Sequence, residues 1–452
     1  MKKRKKEFTF DVGVIGLGFV GLTLATALAK CGLKVLGVEQ RKDLVSLVNK
    51  GKANFVEPGL NQAIRKQVNI GNLTAKNKFD TFDKCKYFII AVGTPLGYSG
   101  KPRLNIIKSA TSIVANQIND GSTVIVRSTV EIGTTRNYVE KKLKKTKKKF
   151  FLAMCAERTI EGNALNELNK LPQIIGSEDK EARTRAAKLF KHLTDSIIFV
   201  NSYESAEIIK LIDNTYRDVQ FAFANEVARL CDAVGVDAIE VINAGKKNYP
   251  RTNVALPGLV GGPCLIKDPY ILRSSIKKFG IDLEITKAAR FVNERQPIEI
   301  ISNLINRFLN KKLKKKLNIS LLGLAFKGQP TTNDLRGSSS LVILRELQYK
   351  FPNSTIRIFD PVVSVDILKT NFPECSVYEN IYEATNGCDI VFIANNSKFF
   401  RHQDINKLIS NLTINGFIFD FWNNFSEEKI LKNNKKYIIL ENFQKKEKIK
   451  NL

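Results

Sequence analysis

At 452 residues, with 43% hydrophobic and 26% charged residues, the chain is long enough for more than one core and is composed like a folded globular protein. No apolar run reaches the ~18 residues of a membrane-spanning helix, and the basic start Met1-Lys2-Lys3-Arg4-Lys5-Lys6 leads through residues 7–11 into a strand-like segment without a signal-peptide core, so a cytoplasmic protein is expected. The formal charge of +28 lies largely in lysine runs at 2–6, 141–149 and 311–316 that lack interleaved aromatics, which reads as solvated faces and tails with no nucleic-acid platform, in a field that suits a nucleoside diphosphate.

Taken in chain order, residues 12–17 form a buried-strand run ending in glycines, 22–30 read as a helix, and 34–38 form a second strand closed by Glu39. Strand-like runs recur at 87–92, 122–126 and 150–154. Strands alternating with helices predict a doubly wound parallel sheet, here assigned to a domain of residues 1–200. From about Ser202 to Val234 the pattern becomes one long amphipathic helix. Its apolar positions are Ile208, Leu211, Ile212, Tyr216, Val219, Phe223, Val227 and Leu230, and Gly235 stops it. A glycine- and proline-rich loop at 249–263 and more helix complete an expected central domain, 201–312, with the lysine run at 311–316 as the expected hinge. A second strand–helix series occupies 313–452. In it 319–322 precedes Gly323, 355–359 ends at Asp360-Pro361, and 389–394 and 417–421 are buried runs. The expected fold class is α/β, with two Rossmann-like domains joined by a long central helix and ligands in the cleft.

The seven cysteines (Cys31, Cys85, Cys155, Cys231, Cys264, Cys375 and Cys388) are scattered without a C-x-x-C pair, and there are two histidines. Neither a disulfide framework nor a metal site is expected. Gly16-Leu17-Gly18-Phe19-Val20-Gly21 is G-x-G-x-x-G between a strand and a helix. The glycines permit the tight turn, the approach of a pyrophosphate and the packing of helix on strand. Glu39 closes the next strand, where an acid holds ribose hydroxyls and repels a 2′-phosphate, so the expected cofactor is NAD. Arg41 lies close enough to share that site.

Gly261-Gly262-Pro263-Cys264-Leu265-Ile266-Lys267-Asp268 places a cysteine in a glycine-rich loop beside a lysine, which favours the nucleophilic thiolate. With the glycine motif upstream, this stretch resembles the UDP-glucose/GDP-mannose dehydrogenase family. The resemblance extends through Val92-Gly93-Thr94-Pro95, Arg127-Ser128-Thr129-Val130, Ala156-Glu157-Arg158-Thr159, Lys210-x-x-x-Asn214 and Gly323-Leu324-Ala325-Phe326-Lys327-Gly328. It implies two successive oxidations of a sugar alcohol to a carboxylate, with Cys264 carrying a thiohemiacetal and then a thioester. Lys210 and Asn214, at i and i+4 on one helix face, are implied oxyanion stabilisers. Asp268 organises the lysine and a water, Glu157 is the implied base for thioester hydrolysis, and Thr129 positions water. Thr94, Thr129 and Lys267 join the implied cofactor contacts.

The resemblance also implies substrate contacts by Glu157, Arg158, Arg251, Asn253, Gly261, Phe326 and Lys327, with the arginine often supplied by a neighbouring subunit of a homodimer or larger homo-oligomer. Glu157-Arg158-Thr159 and Arg251-Thr252-Asn253 look most like the branch acting on UDP-N-acetylhexosamines such as UDP-N-acetylmannosamine, with UDP-glucose as the alternative. Trp422 stands where many relatives carry an arginine two residues after the aspartate matching Asp420. Three competing readings make different demands. A hydroxyacid dehydrogenase would not require Cys264. A vestigial nucleotide-binding regulator would not need Cys264, Lys210, Asn214 and Asp268 together. A nucleic-acid-binding protein rests on charge alone.

Overall fold

The computed structural model describes residues 8–97, 100–277, 279–305, 316–425 and 434–439. The lysine run at 2–6, the expected hinge except for Lys316, and the C-terminal tail lie outside them. Two compact units emerge: Met1–Asn214 with Lys267–Asp282, and Thr215–Ile266 with Leu283–Leu452.

The first unit is built on a sheet of eight strands. These are β1 (Phe10–Ile15), β2 (Val35–Val38), β3 (Leu73–Lys76), β4 (Cys85–Ile90), β5 (Ser122–Val126), β6 (Phe150–Met154), β7 (Gln173–Gly176) and β8 (Ile197–Val200), in the order β3-β2-β1-β4-β5-β6-β7-β8. Its helices are α1 (Phe19–Lys30), α2 (Lys42–Asn49), α3 (Leu60–Asn69), α4 (Asn105–Gln117), α5 (Lys141–Lys144), α6 (Ala164–Glu167) and α7 (Lys180–Phe190). A π-helical turn, Thr135–Glu140, precedes α5. Val12 and Val14 face one core with Leu24 and Leu28, while Ile15 faces the other with Phe88 and Val124. Burial on both faces explains why these strands read as continuous apolar runs.

The sheet departs from the expected parallel pattern once, where β7 runs antiparallel to β6. A parallel return needs a crossover long enough to traverse the sheet. Between β6 and β7 the chain forms only the short α6 among its regular elements. That segment is tied down by hydrogen bonds from the Gly162 and Leu165 N–H groups to Glu57, so β7 runs back beside β6.

The second unit carries six strands, all parallel, in the order β11-β10-β9-β12-β13-β14. They are β9 (Asn318–Leu322), β10 (Thr355–Phe359), β11 (Ser376–Val377), β12 (Ile390–Ile393), β13 (Phe417–Asp420) and β14 (Tyr437–Ile439). The long helix α8 (Tyr203–Val234) begins in the first unit and continues into the second. It is followed by α9 (Ala238–Lys246), by α10 (Asp268–Lys277) in the first unit, and by α11 (Glu284–Leu304). α12 (Ser339–Lys350), α13 (Val365–Asn371), α14 (Ile381–Thr385), α15 (Lys398–Arg401) and α16 (Ile405–Ser410) cover the second sheet. None of the described helices is long and apolar enough to cross a membrane.

α8 ends at Val234, before Gly235 at φ +78°, as its sequence predicts. Its expected apolar stripe is buried only in part: Leu211 is buried and Val219 and Val227 are half-buried. Ile208, Ile212, Tyr216, Phe223 and Leu230 are exposed, whereas Glu207, Lys210, Asn214, Asp218 and Asn225 are buried. The buried face thus mixes these polar residues with Ala206, Leu211, Ala222, Ala224 and Cys231, and apolar side chains are left exposed opposite.

Candidate active site

At the end of β1 the chain turns sharply into α1. Gly16 sits at φ +93°, and a Cβ on Gly21 would lie 1.8 Å from the Gly16 carbonyl oxygen, so neither position accepts a side chain. A Cβ on Gly18 would meet nothing within 4 Å. Gly18 caps α1 without a side-chain hydrogen bond and no acid occupies the first turn, which leaves helix-end amides for an anion. Glu39 accepts the Leu17 N–H at 3.0 Å on one oxygen and the Arg41 N–H at 3.1 Å on the other. The exposed Arg41 guanidinium is held by Asp43. A cavity of about 440 Å³, lined by Gly16, Gly18, Glu39, Val92, Ser109 and Ile113 among others, opens beside these groups. An unblocked helix end, a carboxylate at the strand end and an aliphatic-walled cavity fit a dinucleotide without a 2′-phosphate. Phe19 packs edge-on against Phe55 and Val20 against the core.

The loops after β4 and β5 are stitched together at the same end of the sheet. Thr94 Oγ1 donates to the Thr129 carbonyl at 2.6 Å, and Ser128 Oγ donates to the Val92 carbonyl at 2.7 Å. Arg127 is 2% exposed. Its Nε and Nη2 donate to Glu157, and its Nη1 donates to the Cys155 carbonyl and to Gln173. The other Glu157 oxygen accepts the N–H groups of Arg158 and Thr159. Burial pushes the Glu157 carboxyl up, but Arg127 and the two amides outweigh it and hold it below the ordinary range. Glu157 is therefore a fixed carboxylate. The Arg158 guanidinium reaches Asp213 at 3.3 Å and the Pro172 carbonyl at 3.0 Å, which ties it to α8 beside Asn214.

Lys210 is 8% exposed, and its ammonium has no hydrogen-bond or ion-pair partner among the described residues. One turn on, Asn214 Nδ2 donates to Asp268 at 2.6 Å, and Lys267 Nζ donates to the other Asp268 oxygen at 2.6 Å. Asp268 is fully buried. One turn before Lys210, the buried Glu207 accepts the N–H groups of Gly133 and Thr135. Burial pushes its carboxyl up to about 7, against those hydrogen bonds.

In the second unit, Cys264 is an exposed thiol. Burial pushes the thiols of Cys85, Cys155 and Cys375 up to about 12 and that of Cys388 up to about 11. Burial also raises Cys31, which donates to the His192 carbonyl. The glycines before Cys264 are required by close packing. A Cβ on Gly261 would lie 2.6 Å from the Gly337 carbonyl oxygen, and one on Gly262, at φ +97°, would lie 2.6 Å from the Phe326 ring. Phe326 thus backs the cysteine loop, and the Lys327 ammonium sits 5.2 Å from that ring's centre. Arg251 and Asn253 are exposed, with Arg251 stacked on Tyr249. Trp422 packs on Gly258, and its indole N–H donates to the Ala394 carbonyl.

The acid closing β10 shows why the two Rossmann-like units differ. Asp360 occupies the place of Glu39, but all its capacity goes inward. It accepts the N–H groups of Leu324, Ala325, Val362 and Val363, and burial pushes its carboxyl up. It holds the turn that carries Phe326 and Lys327. Sequence reading missed the parts played by Asp360, Arg127 and Glu207. A charged residue directly after a buried strand was the available signal for Arg127.

Thr94 and Thr129 are thus brought together, as are Asn214, Asp268 and Lys267, and Gly262 with Phe326. Comparison with known proteins gives this arrangement a context. The NAD binding domain of the UDP-glucose/GDP-mannose dehydrogenase family matches residues 10–194, its central domain 204–295 and its UDP binding domain 320–427. The UDP-N-acetyl-D-mannosamine dehydrogenase of Pyrococcus horikoshii is 31% identical over 86% of this chain and 90% of its own length. The enzyme of that name from Campylobacter jejuni is 32% identical over 88% and 98%. A solved structure of UDP-D-ManNAc dehydrogenase from P. horikoshii superposes with a TM-score of 0.85 at 28% identity, covering 96% of this chain and 99% of that one. The chain belongs to the UDP-glucose/GDP-mannose dehydrogenase family and is an NAD-dependent nucleotide-sugar oxidoreductase.

Proposed function

We propose that the protein oxidises the C6 alcohol of a UDP-N-acetylhexosamine, UDP-N-acetylmannosamine first among them, to the uronate through covalent intermediates on Cys264. The observation that carries this reading is Lys210, a largely buried side chain whose ammonium has no partner among the described residues, one turn from the Asn214–Asp268 hydrogen bond. An ammonium held on a largely buried stem and committed to no carboxylate is placed to meet an anion that arrives with the substrate or develops during reaction.

The Gly16–Gly21 turn, Glu39, Thr94, Thr129 and Lys267 would hold NAD, with Phe19, Val20 and Arg41 at the margin of its site. Two NAD molecules, bound in turn, would supply the hydride acceptors for the two oxidations. Lys210 and Asn214 stabilise the alkoxide as the C6 hydroxyl loses its proton, and loss of a hydride from C6 then leaves the aldehyde. The Cys264 sulfur then adds to the aldehyde carbon, and the carbonyl oxygen becomes a second oxyanion. Loss of hydride from that thiohemiacetal leaves a thioester. Water positioned by Thr129 and Asp268 adds to the thioester with Glu157 as base, the C–S bond breaks, and the carboxylate leaves with the thiol restored. One water is consumed. Glu157 suits a role that requires a fixed carboxylate, because Arg127 keeps it ionised.

Arg158, Arg251, Asn253, Gly261, Phe326 and Lys327 are the proposed substrate contacts. Trp422, packed on Gly258 where an arginine is common in relatives, removes one substrate contact from the proposed set. The division into 1–200, 201–312 and 313–452 follows the same reading, as does a cytoplasmic location. The exposed stripe Ile212, Tyr216, Phe223 and Leu230 on α8 supports a homodimer or larger homo-oligomer built on that helix.

Incubation with NAD and a panel of UDP-N-acetylmannosamine, UDP-N-acetylglucosamine, UDP-glucose and GDP-mannose tests the substrate. The reading expects two NADH per uronate, fastest with UDP-N-acetylmannosamine. Faster turnover of UDP-glucose would transfer the assignment to that sugar.

A further inference from the structure

We infer that a buried polar network on α8 and α11 positions the Cys264 loop, with Asn225 and Arg290 holding its two ends. The inference rests on Cys264 being the nucleophile. Asn225 Nδ2 donates to the Gly258 carbonyl at 3.1 Å, and the Gly258 N–H returns to Asn225 Oδ1 at 2.9 Å. The same Nδ2 reaches Asn293 Oδ1 at 3.2 Å, and Asn293 Nδ2 donates to the carbonyl and the carboxylate of Asp218, each at 2.9 Å. Arg290 Nη1 pairs with Asp218 and also donates at 3.3 Å to the carbonyl of Leu265, the residue that follows Cys264. The network therefore leaves the backbone at Gly258 and rejoins it at Leu265. Between these points Ser339 Oγ donates to the Val260 carbonyl at 3.1 Å, and the Gly262 N–H donates to the Gly337 carbonyl at 2.8 Å. Cys264 stands exposed on a loop pinned on both sides.

Stability alone does not explain these residues. Asp218, Asn225, Arg290 and Asn293 are each at most 2% exposed. Apolar side chains of similar volume would fill the same space without desolvating an ion pair. Asp218 Oδ2 moreover has no hydrogen-bond partner among the described residues, which adds to the cost. What the network secures is the backbone on either side of one thiol. A nucleophile displaced by ~1 Å loses on the order of 10²-fold in rate.

The test uses the full-length enzyme in a Cys31→Ser background with UDP-N-acetylmannosamine, or whichever UDP-sugar the panel shows to turn over. The double variant Asp218→Asn/Arg290→Gln removes both buried charges together, and the Glu294 carboxylate that Arg290 also meets is half exposed and stays solvated. The expected result is a kcat about 10- to 100-fold lower, with KM for NAD and the thermal midpoint unchanged and the rate of Cys264 alkylation by iodoacetamide altered. Arg290→Lys, which restores a charged donor, should recover part of the loss. Turnover within twofold of the parent, in a folded double variant, overturns the inference. If the double variant does not fold, Asn225→Asp decides by the same criteria, because it keeps the acceptor for the Gly258 N–H and removes the donor to the Gly258 carbonyl. Cys264→Ser is assayed in parallel. Retained turnover there defeats the nucleophile assignment itself, whereas an inactive Cys264→Ser beside fully active network variants defeats only the positioning role.

Discussion

Replacing Arg127 by methionine separates the energetics of the first unit from its chemistry. Methionine keeps the apolar stem but loses the donors to Glu157, the Cys155 carbonyl and Gln173, and the guanidinium over the Phe190 ring. Glu157 is left buried with two amides and no countercharge. Breaking one side of such a pair costs ~3–5 kcal/mol. At ~2–4 °C per kcal/mol for a unit of this size, the melting transition should fall by about 6–20 °C. The pH dependence should also change sign. In the parent, Glu157 is held below its unfolded range, so its stabilisation is present above that range and is lost as pH falls through the folded value. Without Arg127, burial dominates and the carboxyl is raised, so the variant should lose stability as pH rises from 5 to 8. Adding Glu157→Gln removes the stranded charge and should restore most of the stability without restoring turnover. Calorimetry of the parent, both single variants and the double variant measures the coupling. A loss below about 1 kcal/mol, far under the cost of stranding a buried charge, or a loss independent of pH, would refute the reasoning.

Lys210→Met should lower kcat by ~10²–10³-fold, the usual consequence of removing one oxyanion donor, with KM for NAD unchanged in steady-state assays. Glu207 is raised by burial from the ordinary 4.5 to about 7, so its contribution is present below 4.5 and lost as pH rises through 7. The melting temperature of the parent relative to Glu207→Gln should therefore decline across that window, and a flat difference would remove Glu207 from the account. Phe223→Lys places a charge in the exposed stripe of α8 and should shift the protein toward monomer in sedimentation velocity, while the circular dichroism spectrum stays unchanged.

The parts of the fold that were legible in sequence are those where one side-chain type answers one local demand. Gly16 and Gly21 are read correctly because a positive φ and a 1.8 Å approach exclude any other residue. The long run of helical spacing in α8 and its stop at Gly235 are equally local. The short strands β3, β7, β8, β11 and β14 were missed, although β2, β12 and β13, of four residues each, were read. Which face of α8 is buried was not legible either. Periodicity locates a stripe but not what lies against it, and here Glu207, Lys210, Asn214, Asp218 and Asn225 are withdrawn from water beside Leu211 while much of the apolar stripe is not. Arg127 braces Glu157, 30 residues away, and Asp360 braces the Leu324–Ala325 turn about as far away, and such distant partners leave little local trace. Asp360 is instructive because its place matches that of Glu39, yet four amide hydrogen bonds turn it into a brace for the Phe326–Lys327 turn.

The covalent role of Cys264 is tested most directly by acid quench during turnover and mass spectrometry of the peptide that contains it, in the parent and in Glu157→Gln, where hydrolysis should slow. A sugar-nucleotide acyl adduct on Cys264 that accumulates in Glu157→Gln, and disappears with all uronate formation in Cys264→Ala, is the predicted result. Two NADH per uronate from Cys264→Ala at parental rate, with no adduct in any variant, would contradict it.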